Sequence, residues 1–360
     1  MEQYLEEQLH CLCRSVRAAD ERAVEAAKRH WNGIAKPLHG LGRFEDLLTK
    51  VAGIQNTENI KMDRKAVVVF CADNGVVAEG VTQTDSSVTA VVTENFARGI
   101  ASVNRMASVA GADVIPVDIG VMGEIKEPGV RNCRIANGTN NMRKEPAMSH
   151  EQVLEAIHTG ITLASELKDA GYDLLAVGEM GIGNTTTSSA VASVLLQAPV
   201  ELVTGRGAGL SNTGLEKKIE VIKEAIALHQ PDPEDPLAVL EAVGGFDIAG
   251  MCGLMLGGAI YRIPVVLDGL ISLVAALLAQ KLCPQVTDFL LPSHMGKEPA
   301  CAMAMEKLGL EASIYGNLAL GEGTGAVMLF PLLDMAEAVY RENSTFEEIH
   351  VGAYQEFKEE

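Results

Sequence analysis

Residues 66–72, Ala-Val-Val-Val-Phe-Cys-Ala, are apolar at every position, and the run stops at Asp73-Asn74-Gly75, a strong turn signal. A strand wetted on one side alternates apolar and polar positions. An unbroken run is buried on both sides, as in a parallel sheet covered by helices. A helical pattern over 86–110 leads to a second run, Ala112-Asp113-Val114-Ile115-Pro116-Val117-Asp118, which completes a strand–helix–strand unit. The alternation then continues. Ser149, with Gln152 three residues on, caps a helix running to Asp169 or Ala170, and a strand follows over 172–177. Helices near 213–229 and 247–261, a strand over 263–267, a helix near 270–281, a strand over 287–291 and helices after 298 and 323 complete it. Residues 1–50 read as polar helices, with Val16, Ala19, Val24 and Ala27 at mixed three- and four-residue spacings. The pattern predicts an α/β fold, a doubly wound, mostly parallel Rossmann-like sheet with ligands at the strand C-terminal ends.

Two stretches break the rhythm. Residues 121–148, with Gly129, Asn132, Asn137, Gly138, Asn140 and Asn141, form a long polar excursion of the kind that is functional or mobile. Pro231-Asp232-Pro233-Glu234-Asp235-Pro236 reads as a rigid loop between helices. The apolar stretch from Ile263 to Ala279 is interrupted by Pro264, Asp268, Gly269 and Ser272, and predicts strand, turn and helix rather than a membrane span.

Charge narrows the partners. With 29 basic against 48 acidic residues the net charge is −19, and acidic residues crowd both ends (Glu2, Glu6, Glu7; Glu347, Glu348, Glu356, Glu359, Glu360). Such a field repels nucleic acid. An anionic substrate needs local reversal by a few cations or backbone N–H groups. The seven cysteines follow no zinc-like spacing, and the start MEQYLEEQLH lacks the basic and apolar regions of a signal peptide. Reduced thiols, a cytoplasmic location and no metal site are expected.

One charge stands out within that sequence. Glu322 lies in Leu318-Ala319-Leu320-Gly321-Glu322-Gly323-Thr324-Gly325-Ala326-Val327, a carboxylate inside an apolar, glycine-flanked run. Desolvation there raises its pKa toward the range of a general base. The same residues also suit a loop-to-helix junction, with Glu322 favoured by a helix N-terminus. Gly178-Glu179-Met180-Gly181-Ile182-Gly183-Asn184-Thr185-Thr186 joins a strand to a helix, where glycines let N–H groups approach an anion or simply let strand and helix pack closely. Asn184 stands where a Walker loop has Lys, which favours a monophosphate over ATP. Arg206, in Gly205-Arg206-Gly207, and Lys218, on the following helix, are candidate phosphate ligands, although Lys217 and Lys218 also fit a solvated face. Asp268-Gly269 at a strand end suits a ribose hydroxyl or a turn. His294, in Ser293-His294-Met295-Gly296, has no triad partner pattern.

Taken together and in order, Ala72-Asp73-Asn74-Gly75-Val76-Val77, the 178–186 loop, Gly205-Arg206-Gly207, Val265-Val266-Leu267-Asp268-Gly269, Ser293-His294 and Leu320-Gly321-Glu322-Gly323-Thr324-Gly325-Ala326 resemble the nicotinate-nucleotide:dimethylbenzimidazole phosphoribosyltransferases of cobamide lower-ligand synthesis. The match runs from about residue 35 to 340. It implies a homodimer, a large nucleotide-binding domain (51–329) and a small helical domain built from both ends (1–50 and 330–360). It also implies Glu322 as general base and Glu179 as a second active-site carboxylate. Nucleotide phosphate and ribose would fall to Gly181, Gly183, Asn184, Thr185, Arg206, Lys218, Asp268 and Ser293. The base pocket would comprise Asp73, Asn74, Ser86, Met180 and Leu320. Neither cofactor nor metal is implied.

The implied chemistry is self-consistent. The leaving group of nicotinate mononucleotide is already a pyridinium, so departure from C1′ needs no acid or metal. A benzimidazole sheds an N–H proton as its other nitrogen attacks, and one buried carboxylate suffices to accept it. Displacement inverts the β-nucleotide to an α-riboside. Glu179 would stabilise oxocarbenium character or hold the ribose. The chain departs from the family at Asn74, usually His, and at Ser86, usually Gln, so a substituted benzimidazole, adenine or another purine, and phenols such as cresol stand as alternative acceptors; at Gly296, usually Ser, the departure removes one implied phosphate contact. Some phenol-directed relatives pair as paralogous subunits. A non-catalytic nucleotide-binding paralogue and a nucleotide hydrolase are the other readings.

Overall fold

The computed structural model describes residues 2–355, so Glu356, Glu359, Glu360 and the last five positions of the 330–360 segment lie outside the described residues. Helices α1 (Glu2–Ser15), α2 (Glu21–Gly33) and α3 (Arg43–Gln55) precede β1 (Lys65–Ala72). Then come α4 (Ser87–Ala97), α5 (Ser102–Ala110), β2 (Ala112–Gly120), β3 (Arg131–Asn132), α6 (His150–Asp169) and β4 (Leu174–Met180). The chain continues with α7 (Asn184–Leu195), α8 (Val200–Val203), α9 (Asn212–His229), α10 (Pro236–Val243), α11 (Phe246–Tyr261) and β5 (Val265–Leu267). It closes with α12 (Leu270–Leu282), β6 (Leu290–Pro292), α13 (Ala300–Leu308) and α14 (Thr324–Glu342).

All strand pairs are parallel, in the order β3-β2-β1-β4-β5-β6. From β1 the chain winds outward to β3 and returns through β4 to wind the other way. The crossovers after β1 and β4 therefore part at the strand C-terminal ends, which opens a crevice there. Every position of β1 is buried. Ala66, Val68, Phe70 and Ala72 join a core with α1, α6, α7, α11 and α12, while Val67, Val69 and Cys71 join a second core with α2, α3, α5 and α14. That two-sided burial explains the uninterrupted apolar run. On the first face α6 and α11 touch backbone to backbone. A Cβ at Gly253 would run into Ile157 O, so only glycine fits.

The ends of the chain meet on the second face. Ile34 bridges Thr345 in antiparallel fashion, His30 Nε2 lies 2.7 Å from Tyr340 O, and the Trp31 and Tyr340 rings pack edge to face. Helix α1 instead packs against α6 and α11 on the first face. No helix among the described residues is long and apolar enough to cross a membrane.

The structure revises several boundaries. The helical pattern over 86–110 forms two helices, because Gly99 takes a left-handed φ of 72° after α4 and starts a new N-terminus at α5. The strand expected over 287–291 is largely a 3-10 turn, Pro284–Phe289, and β6 begins only at Leu290. Half-buried Lys50 donates through Nζ to Thr287 O and Leu290 O, both at 2.8 Å, and so satisfies carbonyls a strand neighbour would have taken. The strand expected over 263–267 shortens to Val265–Leu267. The strand expected over 172–177 runs instead from Leu174 to Met180, which places Glu179 on the strand itself. Helices α8 and α10 have no counterpart in the sequence reading, and the polar excursion holds the short edge strand β3.

Candidate active site

At the C-terminal ends of β4, β5 and β6 lies a cavity of about 240 Å³. One wall is the segment Leu318–Glu322 leading into α14, and Glu322 is half-buried there. Gly321, Glu322 and Gly323 all have positive φ, 84°, 62° and 83°. Left-handed backbone at a residue with a Cβ costs roughly 1–3 kcal/mol. The loop keeps this form because it lies flat on β4, where a Cβ at Gly178 would stand 2.6 Å from Glu322 O. The Glu322 carboxylate consequently turns toward the N-terminus of α5 and accepts from Val103 N at 3.1 Å. Burial raises its pKa, the Val103 N–H pulls it back, and Asp268 adds a smaller upward push. The two sequence readings of Glu322 thus meet in one residue. It is a desolvated carboxylate, and it caps a helix other than the one it precedes.

Opposite, Glu179 shares one amide with a second carboxylate. Asn184 Nδ2 donates to Glu179 Oε2 and, at 3.0 Å, to Asp247 Oδ2. Burial foremost, and Asp247 next, push the Glu179 pKa up to about 8. Burial pushes fully enclosed Asp247 up to about 6. Asp268 Oδ1 accepts from Gly325 N at 2.8 Å and Ala326 N at 3.1 Å, and so caps α14 from the end of β5. His294 lines the cavity 4.0 Å from Asp268, and burial lowers its pKa.

The N-termini of α7 and α12 also line the cavity, through Thr185, Gly269 and Leu270, a favourable setting for an anion, while Asn184 N donates to Gly181 O at 3.2 Å. Lys218 is buried behind this wall, with Nζ donating to Thr185 Oγ1 at 2.9 Å and Gly205 O at 3.2 Å, and burial lowers its pKa to about 8. Glu298 Oε1 accepts from Gly207 N at 3.2 Å, next to exposed Lys297.

Of the residues singled out in the sequence, Glu179, Met180, Gly181, Asn184, Thr185, Asp268, Gly269, His294, Leu320 and Glu322 line the cavity. Gly183, Arg206, Lys218, Ser293, Asp73, Asn74 and Ser86 do not. Gly183, at φ 93°, packs under the 74–77 turn, where its Cβ would meet Val77 at 2.8 Å. Arg206 is exposed and donates to Leu210 O and Asn212 Oδ1 within its own loop. Ser293 is fully buried, its Oγ 3.0 Å from His294 Nδ1.

The expected base pocket also changes. Asp73 is buried, accepting from Thr89 Oγ1 at 2.6 Å and Met122 N at 2.8 Å, with Ser86 beside it. Asn74 is buried and accepts from Thr187 Oγ1 at 2.9 Å. These three positions brace the β1 turn rather than face the cavity. The sequence reading missed Asp247, Lys297 and Glu298. Asp247 carried a readable signal, being a lone charge in Gly244-Gly245-Phe246-Asp247-Ile248-Ala249-Gly250, the context that singled out Glu322. Among the described residues no group of three His, Cys, Asp or Glu is arranged to hold a metal ion.

A parallel sheet of this strand order, with helix N-termini and a half-buried carboxylate at a cavity beside the C-terminal ends of β4, β5 and β6, has the architecture of a nucleotide-binding α/β enzyme. Comparison with known proteins narrows the class. The sequence model of a family described as "Phosphoribosyltransferase" matches residues 16–351, and the chain belongs to that family. The nicotinate-nucleotide–dimethylbenzimidazole phosphoribosyltransferase of Clostridium acetobutylicum is 45% identical over 347 residues, 96% of this chain and 99% of its own. The enzyme of the same name from Acetivibrio thermocellus is 45% identical over 332 residues, 92% and 95% of the two chains. The crystal structure of the enzyme of that name from Thermus thermophilus superposes with a TM-score of 0.87 at 36% identity, covering 93% of this chain and all of that one.

Proposed function

We propose that this chain transfers the 5-phosphoribosyl group of nicotinate mononucleotide to 5,6-dimethylbenzimidazole or a related lower-ligand base, releasing nicotinate and an α-ribazole 5′-phosphate, in cobalamin synthesis. The observation that carries the mechanism is Glu322, which lines the cavity, is held by Val103 N and has its pKa raised by burial. As one benzimidazole nitrogen bonds to C1′, Glu322 takes the proton from the other. The C1′–pyridinium bond breaks with its electron pair going to the nicotinate nitrogen, which leaves neutral at that atom. Attack from the face opposite the leaving group inverts C1′. With a pKa of about 8, Glu179 is protonated at neutral pH and holds the ribose as a hydrogen-bond donor rather than as an anion. Asp268 and the helix N-termini complete the nucleotide subsite, and Lys218 supports it through Thr185.

The same reading assigns a homodimer, a cytoplasmic location and the division into a large domain and a small terminal helical one. Contacts between residues 30–35 and 340–346 support the pairing of the two ends, while α1 packs against α6 and α11 on the other face of the sheet. The site is assigned without cofactor or metal. The test is a substrate panel. Nicotinate mononucleotide is incubated with dimethylbenzimidazole, other benzimidazoles, adenine or cresol, and nicotinate release and α-riboside phosphate are followed. Base-dependent release with a benzimidazole supports the reading. Release without an acceptor assigns a hydrolase, and no release with any acceptor removes the transferase reading.

A further inference from the structure

The seven cysteines are free thiols, and two of them, far apart in sequence, meet in the interior. Cys13 is buried on α1, and Cys283 ends α12 and opens the 3-10 turn Pro284–Phe289. Cys283 Sγ lies 3.7 Å from Cys13 O, and the two thiols are hydrogen-bonded to each other. That bond makes the pair unequal. Cys13 S–H donates to Cys283 Sγ, and N–H groups of Gln285 and Val286 at the start of the turn face the same sulfur. Together they hold the Cys283 thiol below its ordinary pKa, while donation and burial push Cys13 up. Cys252 on α11 also lies near Cys13, but it is fully enclosed and burial raises its pKa.

We propose that Cys13 and Cys283 form a reversible oxidation site, which reacts with a peroxide and closes to a disulfide that fastens α1 to the end of α12. The Cys283 sulfur, its proton released, attacks one peroxide oxygen. An S–O bond forms, the O–O bond breaks, and the departing hydroxide takes up the proton as water. Cys13 then attacks the sulfenic sulfur, and its own proton leaves with the sulfenic hydroxyl as a second water. The two thiols lose two electrons and the peroxide gains them. Access comes through α1, where only Leu9 and Cys13 are buried among 14 residues, so the helix can lift without opening the sheet core. The nucleotide cavity lies elsewhere. It is lined by the opposite end of α12, through Gly269 and Leu270, and a 13-residue helix is about 20 Å long.

Peroxide treatment of the full chain carrying Cys11→Ser tests this, because Cys13 is then the one cysteine of the tryptic peptide 1–14. The oxidised chain is blocked, digested without reductant and mapped by mass. The proposal expects two thiols to be lost together, with peptide 1–14 joined to peptide 282–297, lighter by two hydrogens than the reduced pair. Dithiothreitol restores both thiols. Cys252→Ala leaves the link in place, Cys283→Ser abolishes it, and Cys13→Ser halts at a Cys283 sulfenic acid that dimedone traps. The oxidised chain also melts about 5 °C higher, because a loop of roughly 270 residues is closed in the unfolded state. A link from Cys13 to Cys252, links only between chains, oxidation with no link, or an unchanged thermal midpoint overturns the assignment. The mapping needs no variant at Cys13 or Cys283, so a misfolded substitution would not obscure it.

Discussion

The backbone N–H of Val103 donates to Glu322 Oε2 across 219 residues of sequence. The contact exists because the 86–110 helix breaks at Gly99 and opens a second N-terminus at α5, and because Gly321, Glu322 and Gly323 all accept left-handed backbone. Position and basicity of the carboxylate are thereby set from two parts of the fold. Burial raises its pKa, while the Val103 N–H pulls it back.

Glu322→Gln keeps an oxygen for Val103 N and removes the base. Turnover with dimethylbenzimidazole is expected to fall by about 10²–10⁴-fold, with nucleotide affinity and thermal midpoint little changed. Steady-state kinetics beside calorimetric binding check this. Lost binding would make Glu322 a structural residue.

Gly178→Ala probes the seat of that loop. The new Cβ would stand 2.6 Å from Glu322 O, so the loop must lift from β4. Overpacking of this kind costs about 1–3 kcal/mol. A displaced base also lowers kcat by at least about tenfold. Denaturant unfolding and kcat measured on the same preparation separate the two effects.

The pH dependence follows from Glu179. Its pKa is raised from 4.5 to about 8 in the fold, so the folded state binds the proton more tightly than the unfolded chain. The resulting stability is fully present below pH 4.5 and is lost progressively as pH rises toward about 8. Glu179→Gln cannot ionise, so its thermal midpoint should fall less than that of wild type between those values. Parallel slopes for the two proteins would show that Glu179 is not held protonated.

Asn184→Ala removes the amide that Glu179 and Asp247 share and leaves the Asp247 Oδ2 contact unmade in a fully buried position. A loss of about 1–3 kcal/mol is expected. Turnover should fall as well, because Glu179 loses its fixed orientation. Unfolding curves and kcat check both, and an unchanged stability would mean that water replaces the amide.

Much of this architecture is legible in sequence because it is written in local pattern. The β1 run, the Ser149 cap and the glycine-flanked Glu322 each carry their meaning within a dozen residues. What stays hidden depends on which way side chains turn once distant elements meet. Asp73 and Asn74 sit at a strand end, as their sequence context indicates, but Thr89, Met122 and Thr187 draw them into the interior. Lys218 reads as a phosphate ligand in sequence and lies buried behind Thr185, bonded to its Oγ1, in the fold. Asp247 carries a local signal as a lone charge among glycines and apolar residues, but its partner is an amide 63 residues away. The strand expected at 287–291 gives way to Lys50, a residue more than 200 positions earlier.

Whether Glu322 removes the proton from the acceptor base is read from turnover of wild type and Glu322→Gln across benzimidazoles of increasing N–H acidity, from dimethylbenzimidazole to nitrobenzimidazole. With Glu322 as the base, the ratio of the two rates starts at about 10²–10⁴ and shrinks steadily toward a few-fold as the acceptor gives up its proton unaided. A ratio that stays constant across the series would contradict that role.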